Sequence, residues 1–338
     1  MHTQSDDALN VTVIGTVFVD CKGFALQPYL PTGRNLGTIC FTHGGVGRNV
    51  AENMARLALP VAFVATVDAT GLGEEVIARL RRTGIDTRYC QAVDNGMGMW
   101  LAIMDRNGDL AGSISQMPSL DGLENLILMQ GEEIVASSSH IVLELDLNEE
   151  IARSITRLAR HRNKPVYGIP GNLNVVLRNR DILKGLDCFI CNHIEAERLS
   201  GIPFGQLTRS EQMAQCGAIA RQEGLQSLVI TLGAEGAVYY DRRADASGYQ
   251  PVFPVELVDS SGAGDAFFSG TVMGLIHQQP LAEAVLYGTK AAGWTIGSKE
   301  NTCPTLEDIW HQDESFRQLA KKLPHSLPGA LAAGGLNG

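Results

Sequence analysis

The sequence predicts an α/β fold in which a mostly parallel sheet is covered by helices on both faces. From Ile134 onward, short apolar runs alternate with amphipathic stretches of helical period, the pattern of parallel strands joined by crossover helices. An Asn107-Gly108 hairpin signal lies outside that alternation, so a second, smaller sheet is expected beside the first. The chain has 338 residues, 44% hydrophobic and 19% charged. That is enough apolar material for one large domain or two ordinary ones, and too little charge for a disordered chain.

Taken in order, Val11 to Gly15 reads as a short buried strand ending in glycine, and Asp20 follows it. Residues 22–42 are rich in Pro, Gly and Thr without helical period, and read as short strands or a loop. Asn49 to Leu59 reads as a helix, Val61 to Val67 as a buried strand, and Gly71 to Thr83 as an amphipathic helix stopped by Gly84. Met99 to Met104 and Leu110 to Ile114 form the two arms of the hairpin, which is expected to pair with 22–42. Further strands are expected at Ile141 to Leu145, Pro165 to Ile169, Leu186 to Cys191, Leu228 to Leu232, Gly236 to Tyr240 and Val252 to Leu257. Helices are expected at Glu149 to Arg162, Thr208 to Glu223, Gly264 to His277, Leu281 to Gly297 and Leu306 to Leu323. The tail from Pro324 is rich in Gly, Ala and Pro and is expected to fray. Ligands in such folds sit beyond the carboxyl ends of the strands.

A formal net charge of -10 repels phosphate backbones and anionic lipid, which argues against nucleic-acid and membrane partners. No apolar run is long enough to span a bilayer, and the polar N-terminus has no signal-peptide layout, so a cytoplasmic location is expected. The seven cysteines are scattered and only Cys188 and Cys191 form a CxxC, without a second pair at zinc spacing. They read as reduced, mostly buried thiols.

The strongest chemical signal is Asp259-Ser260-Ser261-Gly262-Ala263-Gly264-Asp265, after a strand and before a helix. Small residues there let successive N–H groups converge at a helix N-terminus, a nest for a phosphoryl group. A carboxylate beside it, Asp265, suits proton abstraction from an attacking hydroxyl. A Gly-rich turn capped by Asp is the plain alternative. Gly44-Gly45-Val46-Gly47-Arg48-Asn49 also precedes a helix; its glycines allow close backbone approach, and Asn49 offers both donors and acceptors to sugar hydroxyls, or caps a helix. Asp20 suits a pair of hydroxyls, or caps a turn. Neither loop matches a Walker A or a dinucleotide fingerprint.

In these two segments the sequence resembles the ribokinase-like (PfkB) carbohydrate and nucleoside kinases. The resemblance covers roughly residues 11 to 323, with GGxGxN at Gly44 to Asn49 and DTxGAGD at Asp259 to Asp265. Asn192-His193-Ile194-Glu195 resembles the family's NxxE motif, and Thr231 to Gly236 its TxGxxG turn. A capped or solvated helix residue and a plain β-turn are the alternatives there. The resemblance implies a ribokinase-like three-layer sandwich over 1–325, a small β-sheet lid from about 16–42 and 97–114, and a disordered tail at 326–338. It implies in-line transfer from ATP to a primary hydroxyl, with Asp265 as base and Gly262, Ala263 and Gly264 as an anion hole. Asp20, Gly44, Gly45, Asn49 and Glu144 would hold the acceptor, and Asn192, Thr231, Gly233, Gly236, Gly262 and Gly264 the nucleotide. Glu195 would hold Mg2+ through water, and Asp259 matches the position used for a monovalent cation such as K+. Meeting of two lids would make a homodimer.

Within the family, Phe41 to Asn49 and Glu195 to Gly201 most resemble pseudouridine kinases, in which Glu144 and Asp146 fall near the substrate. The expected acceptor is therefore pseudouridine, ahead of a free sugar such as ribose or fructose, and ahead of a non-catalytic sugar- or nucleoside-binding regulator. Thr66, Ile169 and Asn301 depart from the family pattern, the first two near the substrate and the third in the cation loop. His43 reads as a surface histidine before a substrate contact, and Arg48 equally as an anion ligand or a structural ion pair. Met97, Met99 and Trp100 read as a lid patch or as a cover for a base.

Overall fold

A computed structural model describes residues 9–322 apart from 108, 146 and 172. Gly108 of the hairpin turn, Asp146 and the tail from Pro324, including 326–338, lie outside the described residues. Thirteen strands form among the described residues: β1 (Val11–Ile14), β2 (Phe18–Ala25), β3 (Gly37–Gly44), β4 (Val61–Asp68), β5 (Asp86–Val93), β6 (Gly98–Met104), β7 (Leu110–Gln116), β8 (His140–Glu144), β9 (Val166–Ile169), β10 (Cys188–Asn192), β11 (Ser227–Thr231), β12 (Ala237–Asp241) and β13 (Ala246–Gln250). Nine make one sheet in the order β13-β12-β11-β10-β9-β8-β1-β4-β5. It is parallel from β11 to β5, and only the β11–β12 and β12–β13 pairings at one edge are antiparallel.

Both faces of the central strands are buried because those strands are mostly apolar, whereas the edge strands β5 and β13 are mixed and partly exposed. Val11 and Val13 of β1 join one core and Ile14 the other; Val229 of β11 joins the first, Leu228 and Ile230 the second. Helices Val46–Arg56, Ala263–Ile276 and Leu281–Ile296 cover the first face. Helices Asp121–Ser137, Glu149–His161 and Arg209–Glu223 cover the second. Glu149–His161 shows how the sequence writes such a helix. Asn148 caps it by accepting from the Ile151 amide at 2.9 Å, Glu149 and Glu150 fill its first turn, and Ile151, Ile155 and Ala159 line one buried stripe. The result is the three-layer arrangement, and the ends of β1, β4, β8, β9, β10 and β11 open on one side. No helix among the described residues is long and apolar enough to cross a membrane.

The hairpin does pair with the irregular segment. β2 lies between β3 and β6, and β7 completes a four-stranded sheet in the order β3-β2-β6-β7. Its β2–β6 pairing is parallel and the other two are antiparallel. The outer strands leave Ile39, Phe41, Leu110 and Ile114 exposed, as is Leu36 just before β3.

Two expectations need correction. Val252 to Leu257 is not a strand: Pro251 and Pro254 remove ladder donors, and the edge is formed instead by β13. The last helix is two, Leu306–Gln312 and Glu314–Lys322, broken at Asp313. That residue's carboxylate accepts from the Ser315 amide at 2.9 Å and holds Lys290 Nζ at 2.7 Å. Residues 22–42 hold, as expected, strand and loop together: the end of β2, the connection at 26–36 and most of β3. Elements without a sequence expectation include β5, β13 and the helices Asp121–Ser137 and Asn174–Arg178. Of the cysteines, Cys188, Cys191, Cys216 and Cys303 are buried, Cys40 is exposed, and all seven are free.

Candidate active site

The loop after β1 and the turn into helix Val46–Arg56 cross at van der Waals limits. A Cβ on Gly47 would lie 2.6 Å from the Gly15 Cα, so only two glycines allow the crossing. Glu144, at the end of β8 and 3% exposed, ties the two backbones together. It accepts from the Thr16 amide at 2.7 Å, the Thr16 hydroxyl at 2.8 Å and the Gly47 amide at 3.0 Å. Glu144 thus lines the site while its carboxylate is committed to building it.

That crossing delivers Asn49 to the start of helix Ala263–Ile276. Asn49 Nδ2 donates to Asp265 Oδ2 at 2.7 Å, joining segments 216 positions apart. Burial pushes the Asp265 carboxyl up to about 7, while the Asn49 hydrogen bond and the nearby Arg48 guanidinium pull it down. Both residues open into a cavity of about 400 Å³, whose walls include Asp20, Gly45, Glu144 and Gly171. Phe18, Val46, Met117, Pro118 and Leu120 supply its apolar surface. Asp20 is raised above the usual carboxylate range by burial, against Lys22, the Asn301 amide and Arg48. Gly44 faces it, with room for a Cβ no closer than 3.4 Å to Asp20 Oδ2.

Gly262 precedes the helix with φ 74°, and a Cβ there would lie 1.9 Å from the Asn301 carbonyl oxygen. Gly264 meets nothing within 4 Å, so its side faces open space. The Ala263 amide already donates to Ser260 O at 3.3 Å. Asp259 accepts from the Ser261 amide at 2.8 Å; burial raises its carboxyl, and the hydrogen bonds from Ser261 together with the Lys22 charge lower it overall.

The remaining sequence-singled residues stand apart from this cavity, at the ends of β10 and β11. Asn192 and Thr231 are register partners. Asn192 and Glu195 form a capping box on helix His193–Ser200: the Glu195 amide donates to Asn192 Oδ1 at 2.9 Å, and the Asn192 amide to Glu195 Oε2 at 2.8 Å. Gly233 and Gly236 have φ of 60° and 91°, and a Cβ on Gly236 would strike Gln250 O at 2.1 Å, so that turn needs glycine for its own closure. Beside it runs an extended segment with Val252, Phe253, Val255, Leu257 and Val258 exposed.

Several contributors had weak sequence signals. Arg48 is 1% exposed and pairs with Glu52 at 2.6 Å, the structural ion pair of the two readings offered. Although burial opposes it, Arg48, Arg79 and Arg56 hold the Glu52 carboxyl down to about 2. The i,i+4 spacing of Arg48 and Glu52 was the available clue. His43 is buried rather than on the surface, and burial lowers its pKa; its carbonyl accepts from Asn301 Nδ2 at 3.0 Å. Asn301 thereby links the two glycine-rich loops. Thr66 bonds Gly96 O at 2.7 Å, and Ile169 is buried with its carbonyl accepting from the Leu145 amide at 2.8 Å. Met97 is buried and Trp100 half-buried beneath Lys22, 5.9 Å from the ring.

With this geometry in place, comparison with known proteins adds three findings. The sequence pattern of the pfkB family carbohydrate kinases matches residues 8–308. The guanosine-inosine kinase of Exiguobacterium acetylicum is 38% identical over 292 residues, covering 86% of this chain and 95% of that one. The pseudouridine kinase of Escherichia coli K12 is 28% identical over 297 residues, covering 88% and 93%. Among solved structures, Arabidopsis thaliana ribokinase complexed with ribose and ATP superposes with a TM-score of 0.77 at 21% identity, covering 93% of this chain and 99% of that one. Ribokinase from Thermotoga maritima gives 0.73 at 21% identity, covering 93% and 100%. These two likenesses establish the ribokinase-like fold.

Proposed function

This chain belongs to the pfkB family of carbohydrate kinases, a phosphotransferase with an alcohol group as acceptor, and we propose that it transfers the γ-phosphoryl group of ATP to the primary hydroxyl of a ribonucleoside. The observation that carries this reading is one cavity in which Asp20, Asn49 and Asp265 meet an apolar wall of Phe18, Met117, Pro118 and Leu120. The polar group suits a ribose; the wall suits a base, which a free sugar lacks. The 38% relative makes a purine ribonucleoside of guanosine or inosine type the favoured acceptor. Pseudouridine, the acceptor expected from sequence, is the second reading, supported by the 28% relative.

In this reading Asp20 and Asn49 hold the ribose hydroxyls, with Gly44 and Gly45 allowing close approach, and the primary hydroxyl points at Asp265. Asp265 takes its proton as the oxygen attacks phosphorus and ADP leaves. The first-turn amides at Gly262 to Gly264 stabilise the transferring phosphoryl oxygens, with Gly264 open on the approach side and Ala263 exchanging its weak bond to Ser260. Asn192, Thr231, Gly233 and Gly236 flank the nucleotide at the ends of β10 and β11. The carboxylates of Glu195 and Asp259 fit oxygen-seeking cations. Glu195 would hold magnesium through water. When bound, magnesium neutralises charge on the phosphate oxygens. Asp259, beside the Asn301 loop, would hold a potassium-sized cation. The four-stranded sheet would close over the acceptor and exclude water. Its exposed apolar strands would pair with those of a second copy, which sedimentation of the purified protein checks.

The test is ADP release with ATP, magnesium and potassium across guanosine, inosine, pseudouridine, uridine, adenosine, ribose and fructose. Turnover with a purine ribonucleoside well above the rest is expected. Turnover only with ribose or fructose overturns the nucleoside assignment, and none with any acceptor overturns the kinase reading in favour of a binding protein.

A further inference from the structure

We propose that Arg48 is a positioning residue for phosphoryl transfer: it fixes which way round the Asn49 amide sits, so that nitrogen and not oxygen faces Asp265. The inference rests on Asp265 acting as the base. Arg48 is fully buried, and its guanidinium donates to four acceptors: Glu52 Oε2 at 2.6 Å, Gly44 O at 3.3 Å, His43 O, and Asn49 Oδ1. A guanidinium has donors only, so the Asn49 atom facing it must be oxygen. The opposite end of the same amide, Nδ2, is then the atom 2.7 Å from Asp265 Oδ2. A flipped amide would set NH2 against guanidinium and oxygen against carboxylate. Both mismatches would leave buried polar groups facing like partners, which excludes the flip.

The orientation has a chemical consequence. Nδ2 occupies one carboxylate oxygen and supports the ionised form, leaving Oδ1 of Asp265, which has no hydrogen-bond partner among the described residues, to receive the acceptor's proton. Glu52 makes the buried cation tolerable. It also accepts from Arg56 at 3.0 Å, Arg79 at 2.9 Å and Thr302 at 3.1 Å, so it keeps partners if Arg48 is removed.

A role confined to core stability and a role exerted through Asn49 are separated by a double-mutant cycle of Arg48→Met and Asn49→Ala, read as kcat/KM for the acceptor, with thermal melting as a check on folding. Arg48→Met is expected to lower acceptor kcat/KM by about 10–100-fold while the KM for ATP stays unchanged, because a misplaced group costs up to about a hundredfold. Added to Asn49→Ala, it is expected to cost less than about twofold more, since residues acting as one unit are not additive. Losses that multiply, or an Arg48→Met enzyme with wild-type kcat/KM, overturn the proposal. If Arg48→Met does not fold, Arg48→Lys is put through the same cycle with the same criterion, since an ammonium cannot span all four acceptors. Asp265→Asn run in parallel separates the two readings. A fully active Asp265→Asn enzyme defeats the base assignment, whereas an inactive one with multiplying Arg48 and Asn49 losses defeats only the role of Arg48.

Discussion

At the ends of β1 and β8 side chains hold one another in place: Glu144 clamps Thr16 and Gly47, Arg48 grips Asn49, and Asn49 reaches Asp265. At the ends of β10 and β11 the backbone does most of the shaping. There a capping box fixes Asn192 and Glu195, glycines at 233 and 236 close a tight turn, and the neighbouring apolar segment 252–258 lies open. The difference matches what each end would have to recognise. A reacting hydroxyl must be placed within a fraction of an ångström, which takes cross-braced side chains. Phosphates and an aromatic ring are served by amide dipoles and apolar surface, which tolerate side-chain change.

The comparison predicts substitutions that hurt one end and spare the other. The largest effect is expected from Asp265→Asn, with kcat falling by about 10²–10⁴-fold and calorimetric ATP affinity unchanged. A parallel loss of ATP affinity would break the separation. Glu144→Ala comes next. It strands the Thr16 and Gly47 amides in a buried site and is expected to cost about 2–4 kcal/mol in denaturant unfolding, together with acceptor binding. If Asn49 binds the acceptor as proposed, Asn49→Ala is expected to raise acceptor KM by about tenfold, with ATP KM steady; equal rises would move the sugar subsite elsewhere. The smallest effect is expected from Leu257→Ser. Because Leu257 is exposed, stability should change by less than about 0.5 kcal/mol, while ATP KM rises a few-fold and acceptor KM stays put.

Stability offers a further check on Asp265. Its folded pKa, about 7, lies above the ordinary carboxylate value, so ionising it costs the folded state. That cost is fully present above about 7 and fades as pH falls. Asp265→Asn should therefore raise the melting temperature more at alkaline than at acidic pH, the reverse of its effect on turnover.

The centre of the large sheet was legible because those strands are continuous apolar runs and its helices carry caps and stripes, as at Asn148 to Ala159; its edges β5 and β13 were not, since polar residues interrupt them. The two glycine loops were legible because their chemistry is local: small residues, then a carboxylate or amide. Segment 22–42 was harder, since β3 buries neither face over most of its length and so carries no core-facing alternation. Val252 to Leu257 misled for a related reason: β-favouring residues there serve an open surface, with two prolines that bar pairing. The network of Arg48, Glu52, Arg79 and Thr302 was hidden because it joins distant segments through long side chains, and only its i,i+4 member shows in the sequence. Asn301 was hidden in the same way. As a departure from the family pattern it looked like a loss, yet its amide ties the His43 backbone, and Asp20, to the loop after helix Leu281–Ile296.

The most direct test is the pH dependence of acceptor kcat/KM from about pH 5 to about pH 9. If Asp265 is the base, only its ionised form is active, and burial sets that ionisation to about 7. The profile should then carry one acid limb with its midpoint near that value, falling about tenfold for each unit below it. A profile flat down to about pH 5 would contradict the assignment of Asp265 as a buried base.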